Sequence, residues 1–189
     1  LPDITAPRLL QVIVESNTSL LVTFSEGLDK TAAENTASYS ITPARTIVAA
    51  AQLPSNREQV RLTLSDPLQL SVVYALTGAP GLADCSGNSI PAVDTVFFGI
   101  AETPEPQDVL INEIMPKPSP SAGLPAVEWF ELINRSSKII DLASLRIQDF
   151  SGSPVALPAL LLTPGQYIAV TAQVNVTSLQ ASTTGHVVG

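Results

Sequence analysis

Carboxylates are grouped in the second half of the sequence, where Glu113, Glu128 and Glu131 lie near Asn112 and Asn134. Two adjacent strands could bring these oxygens together. Ca²⁺ takes about six to eight oxygen ligands, many of them from Asp, Glu and Asn, so one hypothesis is a hard-cation site. The glutamates fall on strand-like segments and no Asp-rich calcium loop is present. We therefore predict no metal site and keep the three glutamates as the candidates for one.

The alternative to a metal is a structural role for the same side chains. Glu113 and Glu131 would then be partly buried acceptors for backbone N–H groups or for the side chains of Arg135 and Lys138. Strand-like alternation around both glutamates favours this interpretation. We expect replacement of either one by Gln to change stability rather than binding.

Paired carboxylates also hydrolyse glycosidic bonds, and such an enzyme needs a cleft with aromatic side chains to hold the sugar. The aromatics near the glutamates are Trp129, Phe130 and Tyr167, and strand alternation sends Trp129 and Phe130 to opposite faces. We predict no catalytic residue and no enzyme. Burial of Trp129, Tyr167 and Tyr74 together would further argue against a sugar-binding platform.

The single Cys85 and the single His186 limit the remaining chemistry. They are too few for a zinc site, and a lone Cys has no partner for an internal disulfide. Cys85 lies in the segment Asp84-Cys-Ser-Gly-Asn88, which suggests an incomplete calcium loop. A turn that uses Gly87 and Asn88 for positive φ explains the segment better. We predict no cofactor.

Acidity is a general property of this chain of 189 residues, whose net charge is −8. Only 14% of the residues are charged, against roughly 25% in an average soluble domain. This charge disfavours nucleic-acid and membrane-surface binding. No apolar run approaches the roughly 18 residues of a membrane span. Scarce Lys, one Cys and many Thr, Ser and Pro favour an extracytoplasmic protein.

Short runs in the first hundred residues alternate apolar and polar side chains, as in a sheet with one buried face. In 59–64, for example, Val60, Leu62 and Leu64 face one way. Asp29 is predicted to cap a helical turn within 29–35. Seven strand segments predict a β-sandwich: 9–14, 19–24, 39–41, 46–51, 59–64, 71–77 and 94–100.

Six elements follow one another in this half: Ala6-Pro7, 20–29 (LLVTFSEGLD), Asn35 with 39–41 (YSI), 60–64 (VRLTL), 74–77 (YALT) and 84–88 (DCSGN). In this order they resemble the bacterial Ig-like domain of surface-layer and other secreted multidomain proteins, over about residues 3–100. The resemblance implies a spacer or adhesion module without an enzymatic site.

A linker is predicted at 101–107, because this segment has two prolines, two Glu and no apolar side chain after Ala101. Further strands are predicted beyond it, with a tight turn at 163–165 (TPG). The end of the chain, 186–189, has the pattern of a strand that begins and stops. The other predicted strands are 109–114, 126–133, 145–150, 157–162 and 166–171.

A second set of motifs covers about residues 108–173: Asn112-Glu113, 128–134 (EWFELIN), 140–142 (IDL), Leu157-Pro158 and 162–167 (LTPGQY). They resemble the lamin tail domain in its bacterial, secreted form, which implies another Ig-like β-sandwich. Domains of that family continue for a few more strands. We therefore expect the last strands to be missing or rearranged, with an unpaired edge exposed.

Together these observations predict an all-β chain of two tandem Ig-like β-sandwiches. The first is a bacterial Ig-like domain over 1–100, and the second is a lamin-tail-like domain over 108–189, truncated at its C-terminus. We expect a non-catalytic structural or spacer module of a larger secreted or cell-surface bacterial protein, whose partners are other domains of the same polypeptide.

Two other functions stay open. The chain could be an adhesin module that binds an extracellular protein or glycan through the loop at 116–125. It could also form the accessory domains of a secreted nuclease or phosphoesterase, which bacterial lamin tail domains often accompany. In each case we expect no nucleic acid partner, no membrane span and an extracytoplasmic location.

Overall fold

A computed structural model of the chain describes residues 3–91, 94–116, 125–148, 150 and 152–189. The chain divides into two compact units, Leu1–Ile100 and Ala101–Gly189. Each consists of β-sheets, and the α-helices in the described ranges are the short α1 (Lys30–Ala33) and α2 (Val176–Gln180). No helix in that part of the chain is long and apolar enough to cross a bilayer. The predicted all-β class is confirmed.

Antiparallel strands form two sheets in the first unit. One sheet has the order β1-β2-β5-β4 and the other has the order β3-β6-β7. Each predicted segment contains a strand, but residues 71–73 precede β6 and residues 99–100 follow β7. The strands are β1 (Leu9–Ser16), β2 (Ser19–Phe24), β3 (Tyr39–Thr42), β4 (Ile47–Leu53), β5 (Asn56–Leu64), β6 (Tyr74–Gly78) and β7 (Asp94–Phe98).

The core of the first unit follows from this alternation. On β5, Val60, Leu62 and Leu64 are buried, while the residues between them are exposed. The rings of Tyr74 and Phe98 stack with their centroids 5.5 Å apart. Burial of these side chains is the main favourable contribution to folding.

Shorter strands make up the second unit. Its main sheet has the order β15-β14-β9-β8, and two small sheets pair β10 with β13 and β11 with β12. The strands are β8 (Val109–Met115), β9 (Trp129–Asn134), β10 (Ile140–Asp141), β11 (Arg146–Ile147), β12 (Val155–Ala156), β13 (Leu161–Leu162), β14 (Tyr167–Thr171) and β15 (His186–Val188).

Two strand predictions in this unit were wrong. The strand predicted at 145–150 is limited to β11, and its Asp149 lies outside the described residues. The strand predicted at 157–162 is replaced by β12 and β13, which pair with different partners. Pro158 lies between them and has no backbone N–H to offer a continuous strand.

The C-terminal segment, whose strands were predicted to be missing or rearranged, contains a helix and a strand. Residues 176–180 form α2, and β15 then pairs with β14 in parallel. One side of β14 is therefore covered by β15, in a part of the chain where the sequence predicted an unpaired edge.

The segment predicted as a linker is hydrogen-bonded within the second unit. The backbone N–H of Glu102 donates to the carbonyl of Ile139 at 2.7 Å. Lys138 Nζ lies 2.9 Å from Asp108 Oδ2 and 3.3 Å from Glu105 Oε2. These contacts attach 101–108 to the turn before β10.

Candidate functional site

The candidate glutamates of the second unit are not gathered into one site. Glu113 and Glu131 are paired in register across β8 and β9, whereas Glu128 is exposed just before β9. The three do not bring ligand atoms within reach of one shared ion. Asn112 Nδ2 donates to Glu131 Oε1 at 2.7 Å. A bulge between Ile111 and Glu113 explains this contact, because it inserts Asn112 into the edge strand.

These contacts agree only in part with the structural role predicted for the glutamates. Glu113 is exposed rather than partly buried, and the partner of Glu131 is an amide side chain. Lys138, a predicted partner, pairs instead with Glu105 and Asp108. The pKa of the Asp108 carboxyl is lowered, first by the backbone N–H of Glu105 and then by Lys138.

Three carboxylates of the first unit do come together, and the sequence analysis did not group them. One oxygen from each of Asp3, Glu26 and Asp84 lies within 4.8 Å of the others, and no other such set of three exists among the described residues. We call these residues the acidic cluster. Glu26 follows β2, Asp84 opens the 84–88 turn and Asp3 precedes β1.

The 84–88 turn holds one member of the acidic cluster through hydrogen bonds. The predicted turn is present, but of its two predicted positive-φ residues only Gly87 has a positive φ, and Asn88 does not. Asp84 Oδ1 accepts from the backbone N–H groups of Ser86 and Asn88, both at 2.8 Å, and its Oδ2 accepts from Asn88 Nδ2 at 2.8 Å. Gly87 adopts φ +85°. The side-chain amide of Asn88 is the largest cause of the lowered pKa of Asp84.

Glu26 has the opposite electrostatic environment. Burial raises its pKa, and the charges of Asp3 and Asp84 raise it further. The β-bridge between Leu28 and Asp84 brings the segment after β2 beside the turn. Long-range pairing therefore brings Glu26 of the segment FSEGLD beside Asp84 of the segment DCSGN, and the side-chain amide of Asn88 donates to the carbonyl of Asp3 at 3.2 Å.

A cavity of about 780 Å³ lies in the second unit. The ends of β8, β9 and β14 line it, together with residues of the segment between β14 and α2, such as Gln173. Trp129 and Phe130, two consecutive residues of β9, both contribute to its lining. Trp129 Nε1 is buried without a hydrogen-bond partner among the described residues. Pro116 borders the cavity, whereas 117–124 of the proposed ligand loop lie outside the described residues.

The other singled-out side chains are dispersed. Tyr74 is fully buried, Trp129 is half-buried and Tyr167 is 47% exposed. Burial of all three would have argued against a sugar-binding platform, and this condition is not met. Cys85 is exposed in the 84–88 turn, where Arg57 contacts its Sγ. His186 is exposed on β15, in the other unit.

Paired sheets around an apolar core define Ig-like β-sandwiches, and two family models identify them. Residues 3–99 match the bacterial Ig-like domain and residues 102–188 match the lamin tail domain. The chain belongs to the bacterial Ig-like domain family through its first unit, and its second unit is a lamin tail domain. Both resemblances found in the sequence are confirmed.

Several solved structures are similar to this chain. Surface layer protein SbsC, domains 1–6, matches with 20% identity and a TM-score of 0.47, covering 80% of this chain and 19% of that one. The N-terminal part of the bacterial S-layer protein SbsC matches with 22% identity and a TM-score of 0.47, covering 86% and 37%. An L,D-transpeptidase from Mycobacterium smegmatis matches with 13% identity and a TM-score of 0.29, covering 97% and 87%.

This chain thus spans about a fifth of the first of those proteins and little more than a third of the second. No curated protein matches it. Ig-like domains of these two kinds fit a structural module of the cell surface or extracellular space.

Proposed function

We propose that the chain is a non-catalytic structural part of a larger secreted or surface-anchored bacterial protein, in which it spaces and displays other domains of the same polypeptide. The observation that carries this proposal is that each unit has an apolar core of its own. A unit with its own core folds without help from a neighbour and can hold flanking domains apart.

The distribution of reactive side chains supports a non-catalytic role. Cys85 and His186 are exposed in different units, and both candidate carboxylate groups lack a neighbouring His or Cys within ligand distance in the described residues. Net charge −8 supports the absence of a nucleic acid partner, because phosphate binding requires basic surface.

Mechanical unfolding of the chain between two handles tests the spacer function. A spacer is expected to give two separate unfolding events, each releasing the length of roughly one unit, about 3.3–3.6 Å per residue. Unfolding of either unit at negligible force would contradict the proposal, because a spacer that extends freely cannot hold its neighbours at a fixed distance.

The cavity favours a second candidate, an adhesin module that binds a glycan or an extracellular peptide. Apolar cavities with a few polar groups are the usual form of small-ligand sites. Trp129 is the single Trp of the chain and lines the cavity, so its fluorescence reports directly on occupancy.

Two steps separate the candidates. The chain is first screened for binding to a glycan array and to bacterial cell-wall fragments, and any ligand found is then titrated while Trp129 fluorescence is recorded. The spacer proposal expects no saturable change in Trp129 emission. Saturable binding that is lost in Ile114→Arg, at an exposed residue of the cavity lining, and kept in Tyr167→Ala, outside the lining, would replace the spacer with the adhesin.

A further inference from the structure

The edge strand β4 of the first unit has a neighbouring strand on one side only. It pairs with β5 and ends the order β1-β2-β5-β4. In the described part of the chain, no backbone hydrogen bond links β4 to α1 or to the turn at 36–38, although both lie beside it. Since the N–H and C=O groups of a strand point alternately to its two sides, about half of those in β4 have no strand to pair with.

The composition of β4 leaves this edge unprotected. No charged residue occurs between Arg45 and Arg57, and β4 itself consists of Ile, Val, Ala, Gln and Leu. Val48 is 56% exposed. Proteins usually place a charge, a proline or a covering segment at such an edge, because an exposed apolar strand pairs with strands of other molecules.

The other edge strands of the three larger sheets have such protection within the described ranges. A carboxylate occurs in three of them: Glu15 in β1, Asp94 in β7 and Glu113 in β8. The remaining two are short, since β3 has four residues and β15 has three. With seven residues, β4 is the edge strand of these sheets that combines length with an uncharged sequence.

We propose that the β4 strands of two copies of the chain pair with each other in antiparallel orientation, related by a two-fold axis at Ala50. Ala50 is the middle residue of β4, so this register places the two strands opposite each other from end to end. Ala49 of each copy then lies opposite Ala51 of the other, as two-fold symmetry requires. The pairing joins two four-stranded sheets into one sheet of eight strands.

The side chains of β4 suit a second copy of the same strand. Regular pairing with β5 extends over 49–52, and the register shifts of β4 lie on either side of this stretch. Ala49 and Ala51 are exposed, and their small methyl groups let a second backbone approach to the roughly 4.8 Å of neighbouring strands. A charged strand from another protein would find no opposite charge in β4, whereas two copies of β4 bring no like charges together.

Such pairing would link two chains side by side, a property that goes beyond the spacer function and does not depend on it. A contact of a few residues on one strand buries little surface, and interfaces at the small end of the range are weak and transient. We therefore expect a reversible dimer rather than a permanent one.

Analytical ultracentrifugation of the full chain, from about 10 µM to about 1 mM, measures this association. We expect a reversible equilibrium of monomer and dimer without larger species, because a two-fold interface uses the same strand of both copies and closes the assembly. Two-dimensional NMR of the ¹⁵N-labelled chain over the same concentrations should show shifts of the amides of 47–53 as the dimer forms.

A double substitution tests the edge. In Ala49→Lys with Ala51→Lys, each Lys would lie opposite a Lys of the other copy, and we expect the dimer dissociation constant to rise at least about tenfold. Each Lys adds one positive charge, so the net charge of the chain changes from −8 to −6. Weaker repulsion between whole chains would tighten association, which is the opposite of the result that we expect.

A variant with opposite charges tests the register. In Ala49→Lys with Ala51→Glu, each Lys would lie opposite a Glu of the other copy, and the dissociation constant should return to within about threefold of the parent value. Gln11→Lys, at an exposed position on the opposite edge strand β1, is the control and should not weaken the dimer. Both β4 positions are exposed, so the variants are expected to fold, which near-ultraviolet circular dichroism checks.

Four results would overturn the proposal. The first is a parent chain that stays monomeric up to about 1 mM, and the second is growth into species larger than a dimer. The third is a dimer that forms without NMR shifts at 47–53 or with an unchanged dissociation constant in the double Lys variant, because its interface would then lie elsewhere. The fourth is equal weakening in the Lys and Glu variant, which would exclude the register centred on Ala50.

Discussion

The two sandwiches differ in the size of their apolar cores. Among the described residues, the first unit buries eighteen hydrophobic side chains and the second buries nine. Both units also bury polar side chains, such as Asp94 in the first and Asn134 in the second. Asn134 is 0% exposed, and its side chain forms hydrogen bonds with Lys138, Leu162 and Ser136. Because the second core is smaller, the loss of a satisfied buried polar group should remove a larger share of that unit's stability.

The strands are also shorter in the second unit than in the first. Strands of the first unit have at least four residues, whereas β10, β11, β12 and β13 of the second have two each. Strands this short bury few side chains, so residues in loops and turns contribute a larger share of the core contacts in the second unit. Trp129, the single Trp, lies in the second unit, while Tyr39 and Tyr74 are buried in the first. Trp fluorescence therefore follows the second unit, and the tyrosine bands of the near-ultraviolet circular dichroism follow mainly the first, because the tyrosine of the second unit, Tyr167, is 47% exposed.

The largest effect is expected from Phe98→Ala in the first unit. Phe98 is 1% exposed and stacks on Tyr74, and truncation of such a ring costs about 3–5 kcal/mol. Phe97→Ala is the matched control, because Phe97 is the preceding residue of β7 and is 68% exposed. Urea unfolding should show the loss in the tyrosine signal of Phe98→Ala. An equal loss in Phe97→Ala would contradict the assignment of core and surface faces.

Asn134→Ala should have the next largest effect, and it should act on the second unit. Asn134 Nδ2 donates to the carbonyls of Lys138 at 2.7 Å and Leu162 at 2.9 Å, and Ser136 donates to its Oδ1. Loss of these bonds leaves buried carbonyls unpaired, at a cost of about 2–3 kcal/mol.

Trp129 fluorescence during urea unfolding measures this loss, and Asn112→Ala, at an exposed position, is its control. If the two variants unfold at the same urea concentration, the second unit does not depend on its buried amide, and the contrast between the sandwiches fails.

A matched pair of glycine substitutions should affect both units equally. Gly87 has φ +85° and Gly165 has φ +74°, and an added Cβ meets no atom within 4 Å at either position. Only backbone strain remains, so Gly87→Ala and Gly165→Ala should each cost about 1 kcal/mol. The tyrosine signal should report the first and Trp129 the second. A clearly larger loss in one would show that its turn has a further role.

The smallest effect is expected from Arg61→Ala. Arg61 donates to both carboxylate oxygens of Glu15, at 2.7 and 2.8 Å, and lowers the pKa of Glu15 from 4.5 to about 2. A lowered folded-state pKa stabilises the fold above pH 4.5, and this contribution disappears as the pH falls to about 2.

Both partners of this pair are partly exposed, so the shift in urea midpoint at pH 7 should be small. This shift in midpoint should vanish near pH 2, and the unfolding transition that Trp129 fluorescence reports should not change. A difference between parent and variant that persists at pH 2 would mean that Arg61 stabilises by packing rather than by charge.

Local patterns predicted much of the first unit. Alternation identified the seven strand segments, and Asp29 caps α1 as expected, with its Oδ1 accepting from the N–H of Ala32 at 3.0 Å. The second unit was harder, because two-residue strands are too short to show a period. The bulge at Asn112 could not be predicted either. A bulge shifts which side chains of a strand face the core, and no residue type in the strand marks its position.

By itself, the sequence determined the class of fold, both families and the turns at 84–88 and 163–165. These depend on periodicity and on the backbone preferences of Gly, Pro, Asp and Asn, which act over a few residues. Only the tertiary structure decided the acidic cluster, the cavity at Trp129 and the parallel pairing of β15. Each joins segments far apart in the chain, and the strand register that brings them together depends on the packing of the whole unit.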